Sequence, residues 1–174
     1  GLPILLIGVF SIVFAWLYTA TSHSLSYLGI ADIFVFVFFG LLATTGTTFL
    51  QTHTFVFKSF LLGGVCGSIS TCVLVVNNLR DRDSDKEKNK KSFIVRFGKR
   101  AGEVEYLFFI LLTLVFSYLA CGKSITNLIF LFGLFVFFMV IRARDRQYNK
   151  CLVFTGLLNV VFVVLFFIDK VLIK

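Results

Sequence analysis

The sequence predicts an all-α fold, a polytopic transmembrane bundle with six helices in this chain. Three observations predict it. The 174 residues are 58% hydrophobic and 15% charged, whereas an ordinary soluble domain is roughly 45–50% apolar and about 25% charged. The mean hydropathy of +0.95 is more than a core of this size can hide from water, and far from the composition of a disordered chain. The apolar residues also fall in six runs, each close to the roughly 20 residues that cross about 30 Å of hydrocarbon as a helix.

The first run, Leu2–Ala20, starts at once, with neither the basic leader nor the cleavage site of a signal peptide. The second, Ile30–Leu50, contains FVFVFFG, and the fifth, Ser124–Ile141, contains LFGLFVFFMV. Barrel strands would be short and would alternate apolar with polar; these runs do not alternate. The third, Ser59–Leu79, carries Gly63 and Gly67 as a GxxxG pair followed by Ser68 and Ser70, small residues that let helices approach closely. Val104–Cys121 and Cys151–Leu172 complete the set. Cys66, Cys72, Cys121 and Cys151 form no CxxC or metal spacing and read as small buried apolar residues.

Connections between helices alternate sides. Nine of the 17 Lys and Arg lie between Arg80 and Arg100 and four between Arg142 and Lys150; Lys58, Lys123, Lys170 and Lys174 are the rest. A net charge of +8 could suggest nucleic acid in a soluble protein. Clustered between apolar runs, it is a topology signal, and no nucleic-acid partner is expected. Positive-inside bias places Thr21–Gly29, Arg80–Glu103 and Arg142–Lys150 on the cytoplasmic side of a cell inner membrane. Both ends of the six-helix piece then face the other side, which an odd number of preceding helices would explain. Asp145 is expected to pair with the arginines around it. His23 and His53, in opposite loops, are expected to be solvated.

The chemistry-bearing segment is VVNNLRDRDSDKEKNKKSFIVRFG, Val75–Gly98. If the third helix continues through it, Asn77, Asp81 and Asp85 stand at i, i+4 and i+8 on one face, while Asp83 points elsewhere. Two carboxylates and an amide suit a hard divalent cation such as Mg²⁺, which shares its shell with phosphates and water. Lys88, Lys90, Lys91 and Arg96 could bind those phosphates. A plainly solvated loop is the alternative. Against it, Asn77 and Asn78 close an apolar run, where amides are costly unless used. A calcium loop starting at Asp81 fails at Lys86, where its turn needs Gly, and at Ser92, where it needs Glu.

NNLRDRDSDKEKNKKSFIVRFG resembles the second aspartate-rich motif of the UbiA-type intramembrane prenyltransferases. More narrowly it is similar to their 1,4-dihydroxy-2-naphthoate polyprenyltransferase branch, with NNxRDxxxDxxxGKxTxxVRxG. Asn77, Asn78, Arg80, Asp81, Asp85, Val95, Arg96 and Gly98 match; Lys91 and Ser92 are set against a Lys/Arg-Thr/Ser pair; Asn89 replaces a Gly, tolerable if left-handed. YTATSHSLSYLGIAD resembles the branch's YTxGPxPLxYxGxGE/D through Tyr18, Leu25, Tyr27, Gly29 and Asp32, without its Gly-Pro, and NKCLVFTGLL matches LNxxLxxTAxL through Asn149, Leu152 and Thr155.

The resemblance implies transfer of a polyprenyl group from polyprenyl diphosphate to 1,4-dihydroxy-2-naphthoate or a related aromatic quinone precursor, with loss of diphosphate and CO2, giving demethylmenaquinone in menaquinone biosynthesis. It implies Asp81 and Asp85 as Mg²⁺ ligands, and Asn77, Asn78, Arg80, Lys91 and Arg96 around the diphosphate. Tyr18 and Tyr27 would line the pocket, Tyr18 counted with the catalytic set. It also implies that residues 1–174 are one prenyltransferase domain lacking three of nine helices and a first, NDxxD-type motif, and that the chain alone is inactive. The alternative from another class is a cation-coupled transporter using the Asn/Asp face as an ion site.

Overall fold

The computed structural model describes residues 2–19 and 30–172. It is helical throughout, with no strand among the described residues. The helices are α1 (Leu2–Thr19), α2 (Ala31–Thr52), α3 (Phe57–Glu87), the short α4 (Phe93–Phe97), α5 (Lys99–Cys121), α6 (Ile125–Arg142) and α7 (Gln147–Phe167). Beyond α7 the backbone continues as a π-helical turn, Ile168–Leu172. Helices α2, α3, α5, α6 and α7 are each long and apolar enough to cross a membrane. They coincide with five of the six expected runs, and α1 lies on the other. The protein is therefore a multi-pass membrane protein.

The observed helices outrun the apolar stretches, because a helix need not stop where the hydrocarbon does. Helix α3 has 31 residues, about 46 Å at about 1.5 Å per residue, against about 30 Å of hydrocarbon. Its last ten residues or so stand beyond the apolar layer. Helix α5 starts at Lys99 and α7 at Gln147, earlier than the apolar residues alone suggested. The reach of charged residues at these ends, about three turns on α3 and about one on α5 and α7, is what carries polar side chains to one rim of the bundle.

Helix α3 is the central element. Val65, Ile69, Cys72, Val75 and Val76 are fully buried among α2, α5 and α7. Apolar burial drives little association between helices already in lipid, so close packing and interhelical hydrogen bonds decide the arrangement. The GxxxG pair supplies the closest approach. A Cβ on Gly40 of α2 would lie 2.3 Å from the Gly67 Cα and 2.5 Å from the Gly63 carbonyl oxygen. Gly40 belongs to a π-helical stretch, Phe36–Leu42, within α2. On the next face of α3, a Cβ on Gly64 would meet the Phe116 ring at 2.6 Å.

Several buried hydroxyls inside the bundle are satisfied locally. The Ser68 and Thr71 hydroxyls donate to the carbonyls of Gly64 and Gly67, one turn back, at 2.7 and 2.8 Å. The Thr155 hydroxyl donates to the Cys151 carbonyl at 2.7 Å, so its oxygen is left to accept from the Tyr106 hydroxyl, 3.2 Å away, joining α5 to α7. All four cysteines are free, and Cys72 and Cys151 are buried.

The basic ends of the helices meet. Lys99 Nζ at the start of α5 donates to the Ala143 carbonyl in the α6–α7 link at 3.2 Å. His53 is exposed and caps α2 with a left-handed φ of 55°; His23 lies outside the described residues. Asp145 departs from expectation. It takes a left-handed φ of 45° in the α6–α7 turn, its backbone carbonyl accepts from the Tyr148 amide, and its carboxylate makes no ion pair among the described residues. The turn uses the backbone of Asp145, and Arg142, Arg144 and Arg146 all stay exposed.

Candidate functional site

The chemistry-bearing segment is helical up to Glu87, on the part of α3 that extends past the apolar layer. Arg80 organises its first turn. The guanidinium grips Asp81 with two bonds, Nε to Oδ1 at 2.7 Å and Nη2 to Oδ2 at 2.8 Å. Nη2 also donates to Asn77 Oδ1 at 2.7 Å, and Nη1 reaches Asn149 Oδ1 of α7 at 3.4 Å. A planar fork can hold several oxygens in one plane, which a lysine could not do. Thus Asn77, Arg80, Asp81 and Asn149 form one connected polar patch, bridging α3 to α7. Asn149 comes from a separate stretch of sequence, and only folding places it beside the motif.

One turn on, Asp85 is 8% exposed, and its Oδ2 accepts from Lys90 Nζ at 2.8 Å. The chain can fold back to make that contact because Asn89 is left-handed, with φ 56°, and the Lys90 amide donates to the Asp85 carbonyl at 2.9 Å. A conformation normally left to Gly is open to Asn at modest cost. Ser92, buried, caps α4 by accepting from the Val95 amide at 3.4 Å. Lys88, Lys91 and Arg96 are exposed on this turn and on α4.

The three aspartates differ. The Asp83 side chain is 84% exposed and, among the described residues, pairs only with its neighbour Arg82. Those of Asp81 and Asp85 are 34% and 11% exposed, and each is held by a cation from within the motif. Asn78 is 3% exposed, on the side of α3 turned into the bundle. Tyr27 lies outside the described residues, as does the side chain of Tyr18. Among the described residues, no group of three or more His, Cys, Asp or Glu is disposed to hold a metal. The donor set is still all oxygen, with two carboxylates and the Asn77 and Asn78 amides. That suits Mg²⁺, which takes one or two carboxylates and fills its shell with phosphate oxygens and water.

A second acidic pair was not legible in the sequence. Asp32, second residue of α2 and 6% exposed, lines a groove of about 600 Å³ with Arg100, Phe93 and Glu105. Asp32 Oδ1 and Glu105 Oε2 are both buried without a hydrogen-bond partner among the described residues. The branch motif singled out Asp32. Glu105 carries no signal, because it sits among the ordinary charged residues that open α5. Asp32 does not cap α2; the N-cap position is Ile30. All these polar groups stand at one rim of the bundle rather than at mid-span, where a transporter's broken helices would put them.

Fold and rim together define a membrane-embedded protein that presents charged and amide side chains at one membrane face. The UbiA prenyltransferase family profile matches residues 1–167, and the chain belongs to that family. It is similar to the 1,4-dihydroxy-2-naphthoate octaprenyltransferase of Escherichia coli strain K12, at 42% identity over 55% of this chain and 31% of the relative. The protein of the same description from Haemophilus influenzae is 35% identical over 83% of this chain and 46% of the relative. That from Mycobacterium tuberculosis is 38% identical over 53% and 32%. The matched stretches thus span between 31% and 46% of these relatives' lengths. No solved structure is significantly similar.

Proposed function

We propose that the protein containing this chain transfers a polyprenyl group from polyprenyl diphosphate to 1,4-dihydroxy-2-naphthoate, yielding a demethylmenaquinol, the reduced form of demethylmenaquinone, in menaquinone biosynthesis. The observation that carries the reading is the Asn77–Arg80–Asp81–Asp85 strip on the projecting turns of α3, in a chain whose relatives are described by that activity. In the reaction, the allylic C–O bond breaks and its electron pair leaves with the diphosphate. The electron-rich ring forms a C–C bond to the allylic carbon, and the ring carboxylate departs as CO2.

In this reading Asp81 and Asp85 would hold Mg²⁺, with Asn77 and Asn78 beside them. When bound, Mg²⁺ supplies positive charge against the developing charge of the leaving diphosphate. Arg80 is placed to exchange its grip on Asp81 for phosphate oxygens, a bidentate geometry that guanidinium favours. Lys91 and Arg96 add cationic charge on the same rim, which lowers the barrier by stabilising the leaving group. Tyr18 and Tyr27 line the pocket; an aromatic face beside an allylic cation contributes about 0.5–2 kcal/mol. The rim faces the cytoplasm, and helices preceding this chain contribute an NDxxD-type motif as the other half of the site, so the 174 residues alone are inactive.

The test is prenyl transfer in membranes carrying the whole protein, given polyprenyl diphosphate and 1,4-dihydroxy-2-naphthoate, with product and CO2 both measured. Turnover is expected to need a divalent cation and to stop with chelator. Turnover in excess chelator would remove the metal from the reading. Preference for a different aromatic acid would move the acceptor, and absence of prenylated product from any acceptor would overturn the whole.

A further inference from the structure

Between the rim ends of α6 and α7, a groove of about 630 Å³ is lined by Phe135, Phe138, Met139, Arg142, Gln147 and Lys150, with the small Ala143 and Cys151. It lies away from the motif just described. Asn149 points at Arg80 of α3; at about 100° per residue, Gln147 stands about 200° round α7 from it, and Lys150 about 100°. We propose that this groove binds the head group of an anionic phospholipid, its phosphodiester on Arg142 and Lys150 and an acyl chain along Phe135 and Phe138.

Charge comes first. Arg142 and Lys150 both line the groove, no acidic residue does, and neither cation forms an ion pair among the described residues. The one carboxylate in the connecting turn, Asp145, is committed to neither. Gln147 turns its Oε1 to the Arg144 amide, accepting at 3.0 Å, and its NH2 adds donors. The polar end therefore offers a guanidinium, an ammonium and an amide NH2, with no carboxylate among its lining residues. An acceptor-only anion complements it.

Position and shape then choose the kind of anion. Arg142 is the last residue of a membrane-spanning helix and Lys150 lies in the first turn of the next, so both charges sit at the level of head groups. Phe138 and Phe135, one and two turns deeper, are 51% and 58% exposed. A ligand that joins a phosphate at the rim to a hydrocarbon chain below it, entering sideways from the bilayer, meets every wall of the groove. Basic pockets between spanning helices recognise acidic lipids by this combination, at about 1 kcal/mol for each Lys or Arg, which is about fivefold in affinity each.

The test uses the protein in detergent, titrated with phosphatidylglycerol or phosphatidylcholine of the same acyl chains. Retained lipid is counted by native mass spectrometry, and thermal stability is followed in parallel. Phosphatidylglycerol is expected to bind with low stoichiometry and raise the melting temperature, and phosphatidylcholine to do neither. The double variant Arg142→Gln, Lys150→Gln should weaken phosphatidylglycerol binding about 25-fold. The pair Lys58→Gln, Lys123→Gln, at the opposite membrane face, should leave it unchanged. Both changes are at exposed side chains, and equal melting temperatures in phosphatidylcholine establish that the variants fold. Equal retention of the two lipids, or unchanged phosphatidylglycerol binding by the Arg142/Lys150 variant, overturns the proposal. So does polyprenyl diphosphate binding at the groove where phosphatidylglycerol does not, which would make the groove a substrate entrance.

Discussion

The three aspartates of α3 allow a sharp test of the candidate site. Asp81 and Asp85 are four residues apart, about 40° round the helix, while Asp83 is about 200° from Asp81. The structure adds what each removal costs. Asp83→Ala takes away an 84%-exposed carboxylate and its pairing with Arg82, a loss of about 0–1 kcal/mol. Asp81→Ala removes the partner that Arg80 holds with two bonds; both side chains are a third exposed, so stability again falls by only about 1 kcal/mol. Asp85→Ala leaves Lys90, itself only 22% exposed, without its carboxylate, and costs about 1–3 kcal/mol of stability. Loss of a metal ligand forfeits several kcal/mol of transition-state stabilisation; about 4 kcal/mol is about 1,000-fold in rate. In the prenyl-transfer assay at equal folded protein, Asp81→Ala and Asp85→Asn should therefore each lose about three orders of magnitude, and Asp83→Ala less than fivefold. Asn at 85 keeps the shape and separates chemistry from stability. Equal damage from Asp83→Ala would refute the one-face arrangement, and near-normal rates for all three would refute the metal site.

Other expectations are structural. Gly40→Ala places a Cβ 2.3 Å from the Gly67 backbone and should lower stability by about 1–3 kcal/mol, whereas Gly46→Ala on the same helix meets nothing within 4 Å and should not; thermal melts of the two in one detergent decide. Thr155→Val should cost more than Tyr106→Phe, because it strands a buried hydroxyl, at about 1–3 kcal/mol, while the reverse change leaves Thr155 its Cys151 carbonyl. Asn89→Gly should be neutral and Asn89→Val destabilising by about 1–2 kcal/mol, the strain of a left-handed β-branched residue; a melt showing the opposite order would mean the turn is not left-handed in solution. Ser84→Cys in a cysteine-free background should resist an impermeant thiol reagent added outside intact cells, and labelling there would invert the proposed orientation.

The sequence by itself determined the number and type of apolar helices, since hydrocarbon thickness and backbone hydrogen bonding leave a long apolar run little choice but to be a helix. It also determined the spacing of Asn77, Asp81 and Asp85, because α3 continues through Glu87 and spacing on a helix is geometry. The Gly63–Gly67 pair announced a close packing, though not that Gly40 of α2 would be its partner. Tertiary structure decided the rest. Nothing local ties Arg80 to Asn149, 69 residues away, or sets Glu105 in the same groove as Asp32; those neighbours exist because α3 packs against α2, α5 and α7 at once. The lysine that holds Asp85 was one of several cations in a basic run, and the left-handed Asn89 picked Lys90. Composition counts charges, but which charges meet depends on how helices of different origin are brought to one rim, and that is fixed by packing of small and β-branched residues far from the charges themselves.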